Sequence, residues 1–187
     1  MSVPVNPLNI HVGRGDIWLG VTVPAQGSTV PLNADGQPAT GRMVGATLAG
    51  CNWIYNPNPF RIRTQQSTMI AGFVTIEEEV KVEFTMGEIT YLNIQQMFAT
   101  ARDQASFSSV GGLIVPTIQS VLIVGPRRGG GFIEAMVYQA AMYGERSMTF
   151  ARETHMPVKV TAEAQADFTR ALGDQGGFFA SAVFPTL

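Results

Sequence analysis

The chain has few charged residues. Of its 187 residues only 14% are Asp, Glu, Lys or Arg, against about 25% in a typical soluble domain. A soluble monomer of this size ordinarily carries more surface charge, so the low content favours a protein whose surface is largely covered by other protein. The net charge of −2 provides no general basic field, which argues against a protein that grips nucleic acid.

Cysteine and histidine are almost absent. The single Cys51 excludes a disulfide within the chain and a cysteine-cluster zinc site. His11 and His155 are far apart in the sequence, which argues against a histidine-rich metal site. We therefore expect neither a metal ion nor a cofactor.

No segment resembles a targeting or membrane-spanning element. The first seven residues lack the basic and apolar regions of a signal peptide. The most apolar stretch, 113–124, is too short to cross a bilayer and contains Pro116. We expect a soluble protein that is made in the cytoplasm and has no membrane partner.

The signatures of common catalytic sites are also missing. The sequence has no G-x-x-x-x-G-K-[ST] phosphate loop, no G-x-S-x-G turn and no H-E-x-x-H zinc motif. We expect no catalytic residues and no enzymatic activity. A β-barrel enzyme or small-ligand binder stays open as an alternative, and it would require a cavity with a titratable group of perturbed pKa.

The clearest pattern present is an alternation from 74 to 86. Apolar residues take the even positions and polar residues the odd ones, as in a β-strand with one buried and one wet face. Glu78 alone breaks the alternation. The charged odd positions are Glu77, Glu79, Lys81 and Glu83.

A second stretch, from 156 to 168, repeats this pattern. Its even positions are apolar and its odd positions are polar, which predicts another long two-faced strand. Two strands with the same acidic bias suggest one shared wall that faces a common partner or space. The charged odd positions here are Lys159, Glu163 and Asp167.

Three other segments have a distinct character. Apolar residues at helical spacing, with Thr90 as N-cap, predict one helix over 90–102. The segment 24–42 is rich in turn residues and has no periodicity, so it predicts a long loop. The segment 132–143 fits either a helix or a strand.

The remaining elements favour a mainly β protein. We expect a single domain over 1–187, a β-sandwich or barrel-like sheet with one flanking α-helix. A turn is expected at 125–131 and a strand stop at 56–59, where Asn and Pro alternate. The further strands are predicted at 16–23, 43–55, 61–70 and 119–124.

Five side chains are candidates for contacts between subunits. Arg61 and Arg63 share one side of a short strand and could pair with acids of a neighbouring subunit. Arg127 and Arg128 adjoin three glycines, where a turn could hold a phosphate or simply be exposed. Glu78 is expected to point inward or to a neighbour and to be paired.

Three short motifs occur in a recognisable order. They are VGATLAG at 44–50, FTMGEITYLNI at 84–94 and PVKVTAEAQAD at 157–167. They resemble motifs of the tail tube (major tail) proteins of long-tailed bacteriophages, and the likeness extends over most of 43–176.

The resemblance implies a structural virion protein of the tail. Its subunits would form hexameric rings that stack into a tube, and DNA would pass through the lumen transiently during ejection into the host. The partners would be further copies of the chain and other tail proteins, namely the tape measure, terminator and distal tail proteins. A tail terminator, capsid accessory or secretion-system tube protein is the alternative. The charged residues expected to line the lumen are Glu77, Glu79, Lys81, Glu83, Lys159, Glu163 and Asp167.

Overall fold

The chain folds mainly into β-strands. The computed structural model describes residues 15–63, 70–88, 90, 118–127, 130–143, 158–171 and 174–182, and these contain no helix. The predicted helix at 90–102 lies outside the described residues apart from Thr90. The strands are β1 Asp16–Leu19, β2 Arg42–Met43, β3 Thr47–Arg63, β4 Ile70–Met86, β5 Ile118–Pro126, β6 Phe132–Tyr143, β7 Val158–Gln165 and β8 Gly177–Ala182.

All eight strands belong to one antiparallel sheet. Its order is β2-β1-β5-β6-β7-β4-β3, and β8 also pairs with β6. Along β6, Gln139 lies opposite Gln165 of β7 and Val137 lies opposite Gly177 of β8. β7 and β8 therefore follow one another along the same edge of β6, and residues 166–176 form an excursion between them.

The two long strands predicted from alternation are confirmed. In β4 the even-numbered Val82, Phe84 and Met86 are buried. In β7 the even-numbered Val158 and Val160 are buried in the same hydrophobic cluster. This arrangement follows from the period of two, which places every second side chain on one face.

The ambiguous segment 132–143 is a strand, β6. Its side chains are buried on both faces: Val137 packs in one hydrophobic cluster, and Met136 and Tyr138 pack in another. A strand covered on both faces has no polar alternation, so its sequence cannot be distinguished from a buried helix by period alone.

The predicted strand stop at 56–59 is wrong. One strand, β3, runs through these residues from Thr47 to Arg63. Of the strand predicted at 61–70, residues 61–63 belong to β3, Ile70 begins β4, and 64–69 lie outside the described residues. β3 ends the strand order, and an edge strand tolerates Pro57 and Pro59 because its outer N–H groups need no partner within the sheet. A register shift between Asn58 and Pro59 accompanies them.

Two other elements are shorter than predicted. β1 ends at Leu19 because Gly20, with φ +69°, turns the chain. β7 ends at Gln165, so Asp167 lies beyond the strand. Residues 24–41 contain no strand, as predicted for a loop, apart from an isolated bridge between Leu32 and Pro38.

The sheet has a hydrophobic cluster on each face. One contains residues of β1, β4, β5, β6 and β7, with Cys51 and Trp53 of β3 packed against it. A Cβ at Gly15 would lie 2.7 Å from the Cys51 sulfur, so the backbone before β1 approaches β3 closely. The sheet is thus curved enough to bring strands from opposite parts of its order together.

The second cluster lies between the sheet and the loop. It joins Val21 and Val30 of the loop to Leu122, Met136 and Tyr138 of the sheet. We call residues 21–40 the covering loop.

Candidate functional site

The charged residues of β4 and β7 lie on one face of the sheet. The antiparallel register places Lys81 opposite Glu163 and Thr85 opposite Lys159. Since the intervening even-numbered residues are buried, the odd-numbered charged side chains point to the opposite side. We call this surface the acidic face, consisting of Glu77, Glu79, Lys81, Glu83, Lys159 and Glu163.

Lys81 lies among the carboxylates of the acidic face. It forms a short ion pair with Glu79, and its Nζ is 3.8 Å from Oε2 of Glu163. The hydrogen bond from Lys81 lowers the pKa of Glu79, and the same bond raises the pKa of Lys81. Four carboxylates and two lysines leave this face with a formal charge of −2.

The acidic face continues onto the edge strand. Asn56 lies opposite Glu79 and Asn58 opposite Glu77. A polar pocket of about 230 Å³ is lined by these four residues and Pro57. Among the described residues, no group of three or more His, Cys, Asp or Glu side chains is placed to hold a metal ion.

Asp167 is not part of the acidic face. It lies beyond the end of β7, is buried, and its Oδ1 accepts hydrogen bonds from the amide (3.1 Å) and hydroxyl (2.6 Å) of Thr169. These two bonds lower the pKa of Asp167. The side chain therefore stabilises a turn. The prediction that odd-numbered charged residues share one face fails here because β7 ends two residues earlier, at Gln165.

Glu78 lies on the other side of β4 from Glu77 and Glu79 and is exposed. Partial desolvation raises the pKa of Tyr55, and the charge of Glu78 and a hydrogen bond to Glu78 raise that pKa further. Glu78 therefore has a partner within its own hairpin. A contact between Glu78 and another subunit stays a prediction.

The predicted arginines do not lie on one element. Arg61 is exposed on β3, opposite Phe73, and the side chain of Arg63 lies outside the described residues. Arg127 is half-buried at the β5–β6 turn, where its backbone bonds to Gly130 and Gly131. Arg128 also lies outside the described residues.

The β3–β4 hairpin extends beyond the rest of the sheet. Only residues 81–86 of β4 pair with β7, so within the described part of the chain residues 70–80 pair with β3 alone. We call residues 55–63 and 70–80 the outer arm. Its exposed apolar side chains include Tyr55, Phe60, Ile62 and Val74.

A cluster around Arg170 was missed from the sequence. Its guanidinium lies 4.1 Å from the centre of the Tyr138 ring and 2.8 Å from Oδ2 of Asp174. It also donates to the carbonyl of Pro24 (2.9 Å), which ties the 166–176 excursion to the covering loop. The only sequence signal is the four-residue spacing of Arg170 and Asp174.

Tyr138 completes this cluster. Its hydroxyl donates to Asp174 Oδ1 at 2.6 Å. Burial, together with that hydrogen bond, raises the pKa of Tyr138 to about 12. The tyrosine is therefore neutral at physiological pH and acts as a packed hydrogen-bond donor.

Glu134 was also missed. It is 1% exposed on β6, and its Oε2 accepts a hydrogen bond from the Val30 amide at 2.9 Å. It is the only charged residue in 132–143, which is the signal that could have drawn attention to it.

A pocket lies in the covering loop. It has a volume of about 470 Å³. None of its lining side chains is an acid or a base, so nothing in it supplies a general acid or base. The lining residues are Thr22, Pro24, Ala25, Ser28, Thr29, Val30, Pro31, Ala39 and Thr40.

Comparison with known proteins assigns no family. No protein-family model matches the chain, and no curated protein matches it. Within the described ranges, no helix is long and apolar enough to cross a membrane. Function is therefore inferred from the motifs and from the geometry of the described residues.

Proposed function

We propose that the chain is a structural subunit of a bacteriophage tail tube. Copies assemble into rings, six subunits to a ring, and the rings stack into a conduit for DNA. The subunit has no catalytic role and needs no cofactor. The finer fold in this proposal is a β-sandwich or barrel-like sheet with a flanking helix at 90–102, and the close approach of Gly15 to Cys51 supports such curvature.

The outer arm is the observation that carries this proposal. Within the described sheet its residues 70–80 have only β3 as a neighbour, and Phe60 on that arm is 57% exposed. Two-stranded ribbons are marginally stable alone, and exposed apolar patches mark interaction sites. A second copy of the chain that packs on the arm would stabilise the two-stranded ribbon and cover its exposed apolar side chains.

The acidic face supports the choice of a DNA conduit. Four carboxylates against two lysines repel a polyanion, whereas rows of lysine and arginine bind phosphates at many points. The Debye length is about 8 Å at physiological salt, so the repulsion acts on DNA that comes close to the wall. DNA then slides through the tube instead of sticking to it.

DNA retention by assembled particles tests the conduit. The purified chain is concentrated, assemblies are pelleted, and short fluorescent duplex DNA is measured in the pellet. Wild-type assemblies should retain almost none. Reversal of Glu79 and Glu83 to Lys should leave assembly intact and cause DNA to be retained, with retention falling steeply as salt is raised.

Asp35→Lys is the matched control, because Asp35 is an exposed acid of the covering loop and lies outside the acidic face. It should leave DNA retention at the wild-type level. If the double reversal blocks assembly, the acidic face is a subunit interface. If it assembles and retains no DNA, the face does not line a DNA path.

A further inference from the structure

Glu134 is buried beneath the covering loop. In the sheet it lies between Val124 of β5 and Ala180 of β8. One carboxylate oxygen accepts the Val30 amide, and the other is buried without a hydrogen-bond partner. A carboxylate can accept about four hydrogen bonds, so this one is far from satisfied when ionised.

No charged side chain of the described residues compensates the charge of Glu134. The charged side chains on the packed elements are Asp16 beyond Val124, Asp35 in the covering loop and Arg127 at the end of β5, together with Arg170 and Asp174, which contact Tyr138 four residues along β6. None of them is within ion-pair distance of Glu134, and the same holds for every Lys and Arg of the described residues. β8 contributes no titratable side chain.

The covering loop is held differently at its ends and at its middle. Near its ends, Ser120 Oγ donates to the Val21 carbonyl (2.5 Å) and the Thr22 amide donates to Thr40 Oγ (2.8 Å). Arg170 holds the Pro24 carbonyl. At its middle, the Val30 amide is bonded to the side chain of Glu134.

We propose that Glu134 and Val30 form a proton-controlled latch, which holds the covering loop closed when the carboxyl is neutral and loosens when it ionises. Opening at Val30 admits water to the carboxylate. Hydration of the buried charge is favourable and opposes the packing of the loop at Val30.

The sign of the pH effect follows from the burial. Desolvation raises the pKa of Glu134 above its ordinary 4.5, partly offset by the Val30 hydrogen bond. The closed form thus binds a proton more tightly than the open form. Closing is most favourable below about pH 4.5 and weakens as pH rises towards the raised pKa, by about tenfold per pH unit for one proton.

Amide hydrogen exchange at Val30 measures the latch directly. The exchange rate, corrected for the intrinsic pH dependence of exchange, gives the fraction of open loop. In the wild-type chain the protection of Val30 should fall about tenfold per pH unit above pH 4.5 and then level off. The Gly20 amide, bonded to the Ser120 carbonyl at 2.9 Å, is the internal reference and should stay protected.

Glu134→Gln is the matched variant, since its side-chain oxygen can still accept the Val30 amide and it does not titrate. Its Val30 protection should be independent of pH. The latch is refuted if the wild-type protection is flat, if both proteins show the same pH dependence, or if Gly20 loses protection together with Val30.

A titration of the wild-type chain keeps the test decisive if the variant does not fold. The side-chain carboxyl carbon of Glu134, labelled with ¹³C, and the Val30 amide should titrate in NMR with one shared midpoint above 4.5. Separate midpoints would contradict the latch. This inference does not depend on the tail-tube proposal, because the measurements use the unassembled chain.

Discussion

The outer arm and the region beneath the covering loop differ in whether their side chains are paired and covered within the chain. Under the loop, Glu134, Tyr138 and Arg170 have partners from distant parts of the same chain. On the outer arm, Phe60, Ile62 and Val74 are exposed. One region is completed by intramolecular contacts, and the other exposes apolar side chains that the proposed assembly would cover.

The first prediction compares two large apolar side chains. Leu122→Ala, at a fully buried site under the covering loop, should lower the free energy of unfolding by about 2–5 kcal/mol. Phe60→Ala on the outer arm should change it by less than about 0.5 kcal/mol. Chemical denaturation of the unassembled chains measures both.

Assembly should show the reverse order. Phe60→Ala should reduce the amount of sedimenting particles strongly, whereas Leu122→Ala should assemble wherever it is folded. A Phe60→Ala chain that loses folding stability but still assembles would contradict this difference between the two regions.

The second prediction concerns the Arg170 cluster. Arg170→Ala removes hydrogen bonds to Asp174 and Pro24 and uncovers the Tyr138 ring, so it should cost about 1–3 kcal/mol of stability. Arg170→Lys should recover only part of this, because an ammonium cannot reproduce the planar fork. Thermal unfolding measures the loss.

Arg61→Ala is the control for the same residue type on the outer arm, where the side chain is exposed. Its unfolding temperature should match that of the wild type. Equal losses in Arg61→Ala and Arg170→Ala would show that the two regions do not differ.

The third prediction tests the curvature of the sheet. Gly15→Ala places a Cβ 2.7 Å from the Cys51 sulfur and 2.9 Å from Ile123 Cγ2, so it should cost about 1–3 kcal/mol through overpacking. Gly72→Ala on the outer arm has no atom within 4 Å of the new Cβ and should be neutral within about 0.5 kcal/mol. A neutral Gly15→Ala would mean that β1 and β3 do not approach each other.

The fourth and smallest effect is a pH dependence at Asp167. Hydrogen bonds from Thr169 lower its pKa from the ordinary 3.8, so its contribution to stability is present above pH 3.8 and is lost as pH falls through the lowered pKa. Asp167→Asn should be less stable than the wild type at pH 7 and equal to it in strong acid.

Glu77→Gln on the acidic face serves as the comparison for Asp167, because Glu77 is exposed. Its unfolding temperature should follow that of the wild type at both pH values. If Asp167→Asn behaves in the same way, the Thr169 turn does not contribute to stability.

The sequence was informative where one face of a strand meets water. The alternation of β4 and β7 located both strands and placed six charged residues on one side. The alternation wrongly placed Asp167 on that side, because the odd and even positions of a sequence do not reveal where a strand ends. It also failed at Pro57 and Pro59, whose tolerance depends on β3 being an edge strand.

The contacts under the covering loop could not be predicted. Val30 and Glu134 are 104 residues apart, and Pro24 and Arg170 are 146 residues apart. No local pattern encodes such pairings, since they depend on the strand order that brings β6 beneath the loop. A buried acid in the apolar strand β6 signals only that a partner exists.

Electron microscopy of the concentrated, purified chain tests the central claim most directly. Negatively stained wild-type protein should form tubes of uniform diameter with a stain-filled lumen, built from stacked rings, and Phe60→Ala should form few or none. A wild-type chain that stays a monodisperse monomer at every concentration and salt condition would contradict the account.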